Sequence, residues 1–199
     1  MRHEWLYVAL TVTLLGSLMI SSLGSIEPMV KTRRLRNIYG KPLRPCRQRT
    51  AKNNSGSWDT EGLCSEMGGG VHQICFRVDN ETKDFSRDTS QSSWSRARVG
   101  HNHCMCLGAW ALFKARQNLK EIPATFNELV CDAIPDTALS PAYVSKWNTW
   151  NGHEKDNQIR KGVDALYQQC SRQAASLEDK AYLDGKYKYL LGYIVPTTG

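Results

Sequence analysis

The sequence predicts an α+β protein, in which a small, mainly antiparallel sheet is packed by helices and preceded by one N-terminal transmembrane helix. Three observations support this prediction. An uncharged apolar run covers residues 5–23, strand signals fall within 37–80, and helical periodicities begin near residue 104. Strands that come early and helices that come late are typical of the segregated α+β class.

The apolar run is long enough to cross a bilayer. Its 19 residues from Trp5 to Leu23 carry no charge, and about 20 apolar residues span the hydrocarbon core as a helix. We therefore expect a transmembrane anchor over residues 1–25, with the lipid bilayer as a partner. A cleaved signal peptide is the alternative, since the small residues Ser22 and Gly24 fit a cleavage site.

The segment after the apolar run is strongly basic. From Met29 to Lys52 there are nine Lys or Arg residues and no acid, which is more than the whole net charge of +7. Because basic flanks stay in the cytoplasm, we expect a basic linker over 26–36 and a single-pass protein. Its domain would lie on the cytosolic side, or on a virion inner membrane. Sequons at Asn53 and Asn80 favour a secreted or lumenal domain instead.

Nucleic acid is not expected as a partner. The basic segment holds Tyr39 as its one aromatic residue, and the chain shows no recognised nucleic-acid-binding motif. A basic flank beside an apolar run is better explained by attraction to lipid head groups.

The first half of the domain contains the main strand and the first helix. Val71 to Val78 alternates between two faces, one of them apolar apart from His72, and is the best candidate strand. A helical periodicity runs from about Cys104 to Leu119. We assign this α+β domain to residues 37–133.

Residues 134–199 are predicted to form a helical C-terminal extension. The stretch 156–171 places Ile159, Val163, Leu166 and Cys170 on one stripe, and a tyrosine-rich amphipathic stretch follows it. Ahead of the extension, Pro123 is expected to open another helix. The extension offers a surface for a protein partner, because aromatic residues are enriched at interfaces.

The chain has seven cysteines, and an odd number rules out complete intramolecular pairing. In the cytosol most would stay reduced and pack as small buried hydrophobes. Disulfides, a metal site and a catalytic thiol are the alternatives. We expect no bound cofactor, but zinc suits mixed thiolate and imidazole ligands if a metal binds. The candidate ligands, which should then lie close together, are His72, Cys75, Cys104 and Cys106.

The spacing of the last two candidate ligands constrains the following helix. Cys104 and Cys106 form a CxC pair, and two such sulfurs reach one ion only where the backbone is not regular helix. We therefore expect the helix proper to begin at or after Cys106.

Several short motifs occur in a fixed order along the chain. They are RNIYGKPLRPC (36–46), SGSWDTEGLC ending at Cys64, GVHQIC (70–75), DFS (84–86) and GHNHCMCLGAW (100–110). In these the chain resembles the family catalogued as domain of unknown function 2237, over about Arg36 to Cys131. The resemblance implies a fold and no established activity. Leu63 and the run 101–103 depart from the family pattern.

From these features we expect a membrane-anchored structural or interaction protein without catalytic activity. The addition of an anchor and a helical tail to such a domain indicates a structural purpose. One setting is a minor structural component of a large DNA virus particle that links membrane and capsid. A thiol-rich zinc-binding or redox domain is the first alternative, and a Cys/His-dependent enzyme is the second.

Overall fold

The computed structural model describes residues 35–48, 56–65, 71–148 and 154–194. At the centre of this part lies a sheet of two antiparallel strands, β1 (Ile74–Arg77) and β2 (Asn102–Met105). Helices of very different length surround the strands: α1 (Phe85–Asp88), α2 (Leu107–Asn118), α3 (Pro141–Val144), α4 (Gln158–Gln173) and α5 (Leu177–Ile194). Short 3-10 turns connect them at Arg96–Arg98, Cys131–Ala133, Asp136–Leu139 and Ser145–Asn148.

The two strands are buried almost completely. Every residue of β2 and the first three residues of β1 are buried. The pairing register sets Cys75 opposite Cys104, and Phe76 makes a further bridge to Leu129 on the other side of β1. Because other segments of the protein cover both faces of the sheet, side-chain burial does not alternate along β2.

Helix α2 packs against α4 at very short range. The Trp110 ring is fully buried, and its indole N–H donates to the carbonyl oxygen of Gly162 at 2.9 Å. A Cβ placed on Gly162 would lie 2.6 Å from the Cβ of Ala111. Glycine at this position therefore permits the close crossing of the two helices.

Helix α5 is held by polar contacts as well as by two leucines. Leu183 and Leu190 are fully buried. The Tyr182 hydroxyl donates to Asp136 at 2.8 Å, and the Tyr187 hydroxyl donates to Asp164 at 2.6 Å. Near the start of the helix, the Asp179 carboxylate forms an ion pair with Lys41, with Oδ1 and Nζ 2.6 Å apart.

The predicted fold class needs correction, because it included a transmembrane helix. Within the described ranges, no helix is both long enough and apolar enough to cross a membrane. The longest, α5, carries charges along its length, among them Glu178, Asp184, Lys186 and Lys188. The predicted span 5–23 lies outside the described residues. The class supported by the structure is α+β, with a two-stranded antiparallel sheet and surrounding helices.

Two element predictions meet different outcomes. Helix α2 begins at Leu107, directly after Cys106, which confirms the expected start. The helix predicted from Pro123 is wrong, because the structure has no helix over 121–130. Thr125 and Glu128 instead turn inward to Lys114, and these side-chain bonds hold the segment in an irregular course.

Candidate functional site

Three buried disulfides define the centre of the domain. Two of them join loop cysteines to the sheet, as Cys46–Cys75 and Cys64–Cys104. The third joins the turn before α3 to helix α4, as Cys131–Cys170. Sulfurs in disulfides are not thiolate ligands. The pairing therefore removes Cys75 and Cys104 from the predicted zinc-binding set while the domain is oxidised.

The sulfurs of the two central disulfides lie together. The Sγ atoms of Cys46, Cys64 and Cys75 all lie within 4.8 Å of one another, and the side chains of all three are buried. Four separate chain segments meet here: the loops 35–48 and 56–65 and the strands β1 and β2. The cluster therefore fastens both loops onto the sheet.

The seventh cysteine, Cys106, lies outside the three disulfides. It is half-buried at the N-cap of α2, and its Sγ accepts from the backbone N–H of Ala109 at 3.4 Å. The Tyr143 hydroxyl accepts from the next backbone N–H, that of Leu107, at 3.2 Å. Burial raises the pKa of the Tyr143 hydroxyl.

The fourth predicted ligand, His72, precedes β1 and is half-buried. The predicted set is thus divided between two disulfides, a helix cap and a histidine that precedes β1.

A second cluster surrounds His103 on β2. The imidazole stacks on Trp94 with ring centroids 4.1 Å apart. Its Nδ1 lies 3.2 Å from Nη1 of Arg98, and its Nε2 lies 3.5 Å from Oγ of Ser57. Ser57 has φ of 55°, which is uncommon for a non-glycine residue and is often found at functional sites. Ser57 and His103 are therefore candidates for a nucleophile and its general base.

The hydrogen-bond partners of His103 argue against that role. An arginine side chain only donates, so Nδ1 of His103 must accept from Arg98. The neutral ring then carries its proton on Nε2 and donates toward Ser57, so it has no lone pair with which to take the serine proton. Burial first, and then the charges of Arg98 and His72, lower the pKa of His103 to about 3. The ring therefore stays neutral at ordinary pH.

The buried Lys114 is also fully bonded. Its Nζ donates to Glu128 Oε1 at 2.6 Å, to Gln117 Oε1 at 2.8 Å and to the Thr125 carbonyl oxygen at 3.0 Å. Burial lowers the pKa of this lysine, while Glu128 opposes the change. Three donated hydrogen bonds use all three ammonium protons, which indicates a structural ion pair.

A surface cavity of about 640 Å³ lies between the 37–45 loop and the start of α5. Two cations line it, and each has an acidic partner: Lys41 pairs with Asp179 at 2.6 Å, and Arg44 pairs with Asp132 at 3.3 Å. This pairing neutralises both cations, so they do not form a basic site for an anionic ligand.

Comparisons with protein-family models, with curated proteins and with solved structures give no match for this chain. The resemblance to domain of unknown function 2237 stays a prediction. The residues themselves must carry any functional interpretation.

Sequence reasoning named half of the central sulfur cluster. It included Cys75 and Cys104 but left out their partners Cys46 and Cys64. It also noted the substitution at His103 without identifying the cluster around it. A signal for the pairing was present in the number of cysteines, but no spacing in the chain specifies which cysteine bonds to which.

Proposed function

We propose that this chain is a structural or interaction protein without catalytic activity, whose disulfide-linked domain works outside the cytosol. The observation that carries the proposal is the oxidation of six cysteines into three buried disulfides. Disulfides persist in oxidising compartments and are rare in the cytosol. The pairing argues against the predicted cytosolic side and supports the alternative of a secreted or lumenal domain.

The polar clusters support a non-catalytic role. In the described part of the chain, the His103 ring is held in the tautomer that donates to Ser57, and Lys114 donates all its protons within the core. A catalytic nucleophile needs a base with an available lone pair, itself oriented by a third group. Neither cluster meets that requirement, whereas both hold loops against the sheet or helix α2.

The outer face of α5 is the surface that we propose for a protein partner. Tyr189 and Tyr193 are 58% and 62% exposed, and their rings contact each other with centroids 5.2 Å apart. Gly185 lies one turn earlier on the same face. A Cβ added there would contact none of the described residues. Exposed aromatic side chains of this kind are enriched at protein interfaces.

The bilayer as a partner depended on residues 5–23, which lie outside the described residues. The role as a minor component of a large DNA virus particle stays a prediction.

The first test counts thiols in the full-length protein from its natural source. Alkylation under denaturing, non-reducing conditions should modify one cysteine, Cys106, and alkylation after reduction should modify all seven. Seven reactive thiols before reduction would place the domain in a reducing compartment and reject the proposal.

The second test examines the α5 surface with a photo-crosslinking residue. The probe is placed at Tyr189 or Tyr193, and in the control at exposed Glu81, in the turn after β1. The proposal expects the same partner protein to be crosslinked from both tyrosine positions and not from the control. Equal crosslinking from all three positions would show that α5 has no specific role.

A further inference from the structure

We propose that the four cysteines of the two central disulfides form a tetrahedral zinc site when the domain is reduced. The ligands would be Cys46, Cys64, Cys75 and Cys104. This inference concerns a different oxidation state and does not depend on the proposed function.

The positions of the sulfurs carry the inference. Zinc–sulfur bonds of about 2.3 Å in a tetrahedron place the sulfurs roughly 3.8 Å apart. The Sγ atoms of Cys46, Cys64 and Cys75 already lie within 4.8 Å of one another. The fourth sulfur, that of Cys104, is bonded to Cys64. In the reduced domain, rotation of the four side chains would bring their sulfurs around one ion.

The backbone fixes two of these ligands without the disulfides. Cys75 and Cys104 are direct partners in the β1–β2 pairing. The Cys104 N–H donates outward to Gly56 at 2.8 Å, and the Cys75 carbonyl accepts from outside the pair, from Val130 at 3.0 Å. They are therefore a non-hydrogen-bonded pair, whose side chains stand closest together in an antiparallel sheet. Reduction leaves this arrangement in place.

The other two ligands come from loops with backbone contacts of their own. The Cys46 N–H donates to the Gly62 carbonyl at 2.9 Å, and the Leu63 N–H donates to Asp59 Oδ1 at 2.8 Å. The first bond ties the 35–48 loop to the 56–65 loop, and the second holds the turn of the 56–65 loop beside Cys64. Both loops therefore have a preferred course near the sulfurs before a metal is added.

Each disulfide takes two electrons and two protons from one dithiol molecule, which becomes a disulfide itself, so two dithiols yield four cysteine thiols. Binding of Zn²⁺ forms four zinc–sulfur bonds and releases the four thiol protons to water. Thiolate sulfurs in a tetrahedral arrangement select zinc over magnesium or calcium, which prefer oxygen. The earlier candidates His72 and Cys106 are not needed as ligands.

The test uses the full chain in its oxidised and its dithiol-reduced forms, each transferred to metal-free buffer without oxygen. The reduced chain should bind one Co²⁺ ion with the visible absorption bands of tetrahedral thiolate coordination, and Zn²⁺ should displace it. The oxidised chain should bind neither ion. Failure of the folded, reduced chain to bind either ion would overturn the proposal.

Alkylation identifies the ligands without any substitution. With Zn²⁺ bound, Cys46, Cys64, Cys75 and Cys104 should be protected from alkylation, whereas Cys131 and Cys170 should react as quickly as without metal. Protection that includes Cys106 but not Cys46 would support the earlier ligand set and reject this one. If the reduced chain is unfolded without metal, Zn²⁺ should induce folding, and no change in circular dichroism would reject the site.

A pair of variants completes the experiment. Cys46→Ser removes a ligand and should weaken Zn²⁺ binding at least tenfold, while Cys106→Ala should leave the affinity unchanged. Equal affinities for the two variants would contradict the assignment.

Discussion

Cys75 and Cys104 face each other across the β1–β2 pair, yet each forms its disulfide with a cysteine from a different loop. The sheet therefore acts as the common support for segments that are distant in sequence. Cross-links of this kind stabilise a fold chiefly by restricting the unfolded chain. The small sheet, with only four residues in each strand, is supplemented by covalent bonds.

The third disulfide gives a direct test of this stabilisation. Cys131 and Cys170 are separated by 39 residues, and removal of a cross-link that closes a loop of this length costs about 3–4 kcal/mol. The double variant Cys131→Ala/Cys170→Ala should lose about that much free energy of unfolding in urea titrations. Cys106→Ser is the control and should change little, because Cys106 is in no disulfide and serine keeps a hydrogen-bond acceptor at the N-cap of α2. Equal effects would show that the cross-link contributes nothing beyond side-chain packing.

The parts of the fold that could be predicted are those with a clear periodicity. The stripe Ile159, Val163, Leu166 and Cys170 identified α4, and these side chains are buried as expected. Strand β2 lacked such a signal. Its sequence NHCM is buried on both faces, so a polar asparagine and histidine occupy core positions where alternation predicts apolar residues.

The error about the cysteines came from a different source. The basic flank after residue 23 placed the domain in the cytosol, and that assignment made reduced thiols the first choice. Pairing of Cys46 with Cys75 depends on how a loop folds back over the sheet, which no local pattern records. Tertiary packing decides the pairing, and it also decided the irregular course of the chain around Glu128.

The crossing of α2 and α4 predicts opposite effects for two glycine-to-alanine substitutions. A methyl group at Gly162 would lie 2.6 Å from the Cβ and 2.7 Å from the Cα of Ala111, and the backbone atom cannot move aside easily. Gly162→Ala should cost about 1–3 kcal/mol of stability. Gly185→Ala should stabilise the protein by about 0.5–1 kcal/mol, because alanine has the higher helix propensity and the site is open. Thermal and urea unfolding would measure both, and destabilisation by both substitutions would refute this account of the crossing.

The environment of His103 predicts a specific loss of stability in acid. Its pKa in the folded protein is about 3, below the value of about 6.5 for an exposed histidine. The unfolded chain therefore binds more protons in this interval, and stability falls as the pH drops below about 6.5, by up to about 1.4 kcal/mol per pH unit. His103→Phe keeps an aromatic ring against Trp94 and should reduce this slope.

Exposed His101 provides the matched control, because His101→Gln also removes one histidine from the chain but leaves the contacts of His103 intact. The measurement is the free energy of unfolding at about pH 7 and about pH 5 for all three proteins, compared as differences. Carboxyl groups that titrate in the same range contribute equally to all three proteins, so their contributions cancel in these comparisons. An unchanged slope in His103→Phe would show that the ring is protonated in the folded protein.

The buried ion pair between Lys114 and Glu128 predicts a strong asymmetry between single and double substitutions. Their side chains are 8% and 1% exposed, and Nζ lies 2.6 Å from Oε1. Lys114→Met leaves the carboxylate buried without its cation, which costs about 3–5 kcal/mol. Lys114→Met/Glu128→Leu removes both charges and should cost less than the sum of the two single substitutions.

The control is an exposed ion pair on α1. Arg87 is 66% exposed where it contacts Asp88, and Arg87→Ala should change stability little because solvent screens such a pair. Urea unfolding of the single and double variants gives the interaction energy by a double-mutant cycle. Additive losses would mean that Lys114 and Glu128 contribute independently, through their separate bonds to Gln117 and Gln169. A positive coupling would identify the ion pair as the link that holds the irregular segment around Glu128 against α2.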